Sequence, residues 1–100
     1  MYIVGGFNAY PAEIESIMIG HPLVGQVAVV GVPDERLGEV GVAFVVPRPG
    51  QTIDPDELGT WCRAHMANFK IPRTIRVVDS LPLNPTGKVM KFQLRAQLAG

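Results

Sequence analysis

Lys88 closes the segment Pro82-Leu83-Asn84-Pro85-Thr86-Gly87-Lys88, where a single cation follows a glycine on a loop stiffened by two prolines. A Walker-type phosphate loop needs glycine where Pro82 stands and Ser or Thr where Val89 stands, so both positions argue against that chemistry. What remains is a lysine on a stiff tip just ahead of a helix. Proline fixes its own φ, which limits where the ammonium can be delivered. A cation held in one place can stabilise negative charge that develops in a transition state. Taken alone, the same residues also read as an exposed lysine at a helix start.

The second segment of interest is Gly5-Gly6-Phe7-Asn8-Ala9-Tyr10-Pro11-Ala12-Glu13-Ile14-Glu15. Two adjacent glycines let the backbone take positive φ or approach a ligand closely. On its own this is a turn followed by a capped helix. The other reactive types are less suggestive. His21 and His65 have no carboxylate or cysteine at ligand spacing and read as helix-end and core residues, so no metal site is expected. Cys62 falls on an apolar stripe and reads as a packed thiol. Glu35 and Glu39 read as solvated loop acids, and Lys70, Lys91 and Arg95 chiefly as solvated cations.

Local patterns predict the elements that must carry these residues. The opening Met1-Tyr2-Ile3-Val4 reads as a strand end or connector entering a tight loop over residues 5–10. Its abrupt start is expected of a piece of a longer chain. Pro11 suits the first helical position, and Glu13 and Glu15 suit the positive helix end. Ile14, Ile17 and Met18 form one apolar face, and Gly20-His21-Pro22 stops the helix. The β-branched runs 27–32 and 41–46 do not alternate, which predicts strands covered on both faces. Residues 33–39 between them read as a polar loop with room for a functional excursion.

Asp54-Pro55-Asp56-Glu57 announces a second helix, with Asp54 as N-cap and Glu57 closing a capping box. Leu58, Trp61, Cys62, His65, Met66 and Phe69 follow at helical spacing as a core-facing stripe. Lys70-Ile71-Pro72 breaks it, residues 74–78 form a third strand with Arg76 exposed, and Met90, Leu94 and Leu98 mark a last helix. The order predicts an α+β domain, a small three-stranded sheet flanked by helices.

The chain has 100 residues, enough for one domain, with 47% hydrophobic and 18% charged residues, a globular rather than disordered balance. Nine basic residues balance nine acidic ones, which gives a nucleic-acid binder little support. One cysteine excludes an internal disulfide and suits a reducing, cytoplasmic setting. No segment approaches the length of a membrane-spanning helix.

Five segments, in order, resemble the adenylate-forming (AMP-binding) superfamily of acyl-CoA synthetases, peptide-synthetase adenylation domains and luciferases. They are Gly5 to Glu15, Val32-Pro33-Asp34-Glu35 with Gly38-Glu39, Phe69-Lys70-Ile71-Pro72, Leu81-Pro82, and Pro85-Thr86-Gly87-Lys88. The resemblance covers essentially the whole chain. Tyr10 to Glu15 is closer to the fatty-acyl and aryl-CoA ligase branch than to peptide-synthetase domains. Ile3 stands where many members carry lysine, so no charge contact with CoA phosphates is expected there.

The resemblance implies that residues 1–100 are the C-terminal domain of a larger two-domain ligase, inactive alone. Such enzymes join a carboxylic acid to AMP from ATP, then pass the acyl group to CoA. It assigns the adenylation step to Lys88 and the CoA channel to Gly5, Gly6 and Phe7, and makes Lys70, Lys91 and Arg95 candidates for CoA-phosphate contacts. Mg2+ is expected with ATP, held by the large N-terminal domain. Lys88 also resembles sites acted on by a lysine acetyltransferase and deacetylase. A carrier-protein acceptor in place of CoA, and a non-catalytic interaction module of the same fold, are the alternatives.

Overall fold

Two valine-rich strands form the spine of the domain; the helices pack on its two faces and the short strands extend it from β4. The computed structural model describes residues 1–99. Its elements are β1 (Tyr2–Val4), β2 (Phe7–Ala9), α1 (Pro11–Met18), β3 (Val24–Asp34), β4 (Gly38–Pro47), α2 (Pro55–His65), a 3-10 turn (Asn68–Lys70), β5 (Thr74–Val77) and α3 (Lys91–Ala99). β3 and β4 pair antiparallel from Val24↔Pro47 to Asp34↔Gly38, with a register slip between Val24 and Gln26. β5 runs parallel to β4 beside Val42–Val45, reached through α2, because a parallel partner requires a crossover.

Both faces of the spine are buried. On one, Val29, Ala43 and Val45 meet Ile14 and Met18 of α1 and Leu58 and Cys62 of α2. On the other, Ala28, Val30, Val42 and Phe44 meet Leu81 and Leu94. This double coverage explains why neither strand alternates apolar with polar residues. α2 begins as expected: Asp54 accepts a hydrogen bond from the Asp56 N–H at 2.9 Å, and Pro55 occupies the first turn.

The α+β class stands, with three corrections. The sheet has five strands, not three, because residues 2–9 form a hairpin that joins the edge of β4 through Val4↔Gly38. The loop expected over 33–39 shrinks to residues 35–37, since the β3–β4 ladder runs on to Asp34 and Gly38. α2 stops at His65, which is exposed, and Phe69 belongs to the 3-10 turn rather than to the helical stripe. Among the described residues Glu57 makes no capping-box bond back to Asp54.

Candidate functional site

The lysine loop is a miniature hairpin. Leu83 and Val89 form an antiparallel bridge, and the Met90 N–H donates to the Pro82 carbonyl at 2.8 Å. Below the tip, the Asn84 N–H donates to the Lys88 carbonyl at 2.8 Å and the Gly87 N–H to the Asn84 carbonyl at 2.9 Å. Asn84 Oδ1 accepts from the Thr86 N–H (3.0 Å), the Thr86 hydroxyl (2.7 Å) and the Lys88 N–H (2.9 Å). Gly87 turns the chain at φ 87°, a conformation that favours glycine. Leu81 anchors the loop in the core beside Phe44 and Leu94. Lys88 is exposed, and among the described residues its ammonium has no hydrogen-bond or ion-pair partner.

The glycine segment is a two-residue hairpin turn, shorter than the tight loop expected over residues 5–10, because Phe7–Ala9 form β2. Gly5 and Gly6 have φ of 55° and 89°, flanked by the Val4↔Phe7 pair. Positive φ at both central residues is the type I′ signature, which matches strand twist and selects glycine. The turn is tied to the tip of the β3–β4 hairpin. The Gly5 N–H donates to the Leu37 carbonyl at 2.8 Å. Leu37 is itself fixed by Asp34 Oδ2, which accepts the Leu37 N–H at 2.9 Å and the Arg36 N–H at 3.1 Å. The bond from Leu37 is the main reason the Asp34 carboxyl sits below its ordinary value, helped by the Arg36 N–H and the charges of Arg73 and Arg36, and opposed by desolvation.

At the open end, a Cβ on Gly6 would meet no heavy atom within 4 Å. Phe7 remains 58% exposed although its ring stacks on Phe69 at 4.9 Å. Gly5, Phe7, Leu37, Phe69 and Arg73 border a groove of about 460 Å³. A second groove, beside the lysine loop, is lined by Ala12, Glu15, Ile19, Leu83, Gly87 and Val89 and shares no residue with the first. The lysine loop and the glycine turn therefore border separate grooves of one domain.

Tyr2 sets the hairpin on the sheet. Its ring lies over the Gly31↔Gly41 pair, where a Cβ would fall 2.6 Å from Tyr2 Cβ and 2.2 Å from Tyr2 Oη respectively. The Tyr2 hydroxyl is buried without a partner among the described residues, and burial, then the nearby Glu39 charge, pushes its pKa up to about 12.

Lys70, Lys91 and Arg95 do not converge on either groove's centre as a phosphate cluster; each has a partner within the domain. Lys70 pairs with Glu13. Lys91 pairs at 2.8 Å with Glu15, whose Oε2 also accepts the Val29 N–H at 2.8 Å. Arg95 Nε donates to the Gly31 carbonyl at 3.4 Å. Glu15 and Arg95 thereby cover the free edge of β3. Glu39 is more than a solvated acid, since it accepts the Ile3 N–H at 3.2 Å.

His21 accepts the Leu23 N–H at 3.1 Å through Nδ1, and His65 stacks on Trp61 at 3.9 Å. Cys62 is buried, which raises its thiol pKa against the pull of Arg63. Among the described residues no cluster of three His, Cys, Asp or Glu could hold a metal ion, and no helix is long and apolar enough to cross a membrane.

Sequence reasoning missed three of these relationships. Phe69 was hidden by its helical spacing from Trp61 and Met66. Asn84 was overlooked beside the prolines, although Asn two residues ahead of Thr is a turn signal. Gly31 and Gly41 inside strands were a sign of close approach.

Residues 13–88 match the AMP-binding enzyme C-terminal domain family. The chain belongs to that family. Over 97 residues it is 56% identical to a (methyl-dioxo-octahydro-indenyl)propanoyl:CoA ligase of Rhodococcus jostii (strain RHA1), covering 97% of this chain and 19% of the relative. It is 47% identical over 98 residues to the fatty acid–acyl-carrier-protein ligase ScoC of Streptomyces coeruleorubidus, covering 98% and 19%. Among solved structures it is similar to ATP-bound MatB from Rhodopseudomonas palustris, with 43% identity and a TM-score of 0.89, over 95% of this chain and 19% of that one. This AMP-binding enzyme C-terminal domain thus spans about a fifth of the length of the relatives it matches, at 19% of each.

Proposed function

We propose that residues 1–100 are the mobile C-terminal domain of an ATP-dependent acyl-CoA synthetase of the fatty-acyl or aryl-acyl branch. Lys88 serves adenylation, and the Gly5-Gly6-Phe7 turn serves thioester formation. The observation that carries this reading is an exposed lysine with no partner in the described domain, on a loop held by six hydrogen bonds. In adenylation a carboxylate approaches the α-phosphate of ATP, and the two negative charges repel. An ammonium between them stabilises the charge of the transition state. ATP, its Mg2+ and the acyl group belong to the large N-terminal domain.

The separate grooves fit a two-step use of one domain. The lysine loop faces the reacting centre first; a rigid rotation of the domain then brings the glycine turn there to line the pantetheine channel. Glycine at both turn positions keeps that face low, and the Phe7–Phe69 stack gives it an apolar wall. The test is carboxylate-dependent exchange of pyrophosphate into ATP by the full-length chain. Lys88→Ala should abolish most of it while Lys91→Ala, which removes an internal ion pair, should not; exchange that survives Lys88→Ala contradicts the reading.

A carrier-protein thiol is the second reading of the acceptor, favoured by the likeness to ScoC. Offering the full-length enzyme either CoA or a phosphopantetheinylated carrier protein separates the two.

A further inference from the structure

We propose that Asn84 is the residue that positions Lys88. The inference rests on the catalytic reading of Lys88 and extends it to a neighbour that itself touches no substrate. Asn84 holds Lys88 by both main-chain groups: Oδ1 accepts the Lys88 N–H at 2.9 Å, and the Asn84 N–H donates to the Lys88 carbonyl at 2.8 Å. The same oxygen accepts the Thr86 N–H and hydroxyl at 3.0 and 2.7 Å. Two backbone N–H groups converge on this atom, so the amide oxygen, not its NH2, must face them.

Apart from the Gly87 N–H, which donates to the Asn84 carbonyl at 2.9 Å, no other hydrogen bond among the described residues holds the tip. Pro85, Thr86, Gly87 and Lys88 are all exposed, so packing does not hold them. The core contact of Leu81 and the Leu83–Val89 bridge secure only the base of the loop. Removing the Asn84 side chain leaves that base and the main-chain bonds in place. It frees the Thr86 and Lys88 N–H groups, which water can then satisfy in other tip conformations. The fold persists while the starting direction of the Lys88 side chain does not. Misplacing a reacting group by about 1 Å can cost on the order of 100-fold in rate.

The experiment uses the full-length enzyme with Asn84→Ala, Asn84→Asp and Lys88→Ala, measured in each half-reaction and by thermal unfolding. Asn84→Ala should lower the kcat of adenylation by about 10- to 100-fold, with KM for ATP, the unfolding midpoint and thioester formation from preformed acyl-adenylate nearly unchanged. Asn84→Asp keeps an acceptor oxygen in place and should restore most of the lost rate. Full adenylation by Asn84→Ala alongside a crippled Lys88→Ala would overturn the positioning role and leave the lysine's role intact. Full adenylation by Lys88→Ala would overturn both. Equal losses in the two half-reactions, or no recovery with Asn84→Asp, would reduce Asn84 to a structural residue.

Discussion

Tyr2 occupies the space that a side chain at residue 41 would need: a Cβ on Gly41 would lie 2.2 Å from Tyr2 Oη. The clash is with the hydroxyl itself, a buried group with no hydrogen-bond partner among the described residues. Gly41→Ala should therefore destabilise the domain by about 1–3 kcal/mol through overpacking. Tyr2→Phe should be neutral or stabilising, since an unsatisfied buried hydroxyl costs about 1–3 kcal/mol. The penalty of Gly41→Ala should shrink in the Tyr2→Phe background. Urea unfolding of the four chains gives the coupling, and additive effects would refute the contact.

Asp34 makes the glycine turn sensitive to acid. Its carboxyl sits below its ordinary value of 3.8, chiefly because the charged form accepts the Leu37 N–H. A carboxyl lowered in the folded state adds stability that is fully present above the unfolded value. That stability is lost as pH falls through the folded value. The unmodified chain should therefore be more stable than Asp34→Ala at neutral pH, and the gap should close below about pH 4. Unfolding midpoints between neutral and acid pH check this; a gap independent of pH would mean that the carboxylate charge plays no part.

The long elements were legible because local pattern and tertiary burial agree. Val27–Val32 and Gly41–Val46 could be read as doubly covered strands, and Asp54-Pro55 as a helix start, from residue types alone. β1 was legible only as a strand end or connector and β2 not at all: three-residue strands carry too little periodicity, and Gly5-Gly6 signals a turn without saying what it joins. Lys88 could be singled out from its prolines and glycine. The roles of Lys70, Lys91 and Arg95 could not, because Glu13, Glu15 and the Gly31 carbonyl lie 57, 76 and 64 residues away in sequence.

Lys88 and Lys91 differ in availability, which a chemical probe can read. Lys91 is paired with Glu15 at 2.8 Å, whereas the Lys88 ammonium is exposed and has no partner among the described residues. A small acetylating reagent, or an acetyltransferase, should modify Lys88 ahead of Lys91. Acetylation removes the charge and leaves a bulkier amide. Adenylation should fall in step with occupancy at Lys88, and deacetylation should restore it. Mass spectrometry paired with activity decides the matter; full acetylation of Lys88 with adenylation intact would contradict its assigned role.

The proposed division of labour between the two grooves is tested most directly by measuring both half-reactions of the full-length enzyme in Lys88→Ala and Gly6→Leu. Lys88→Ala should slow adenylation by about 100- to 1000-fold, the usual cost of losing one preorganised transition-state donor, and barely affect thioester formation from preformed acyl-adenylate. Gly6→Leu puts a side chain on the open turn and should impair thioester formation far more than adenylation. Equal losses in both steps for both variants would contradict the assignment of one face of the domain to each step.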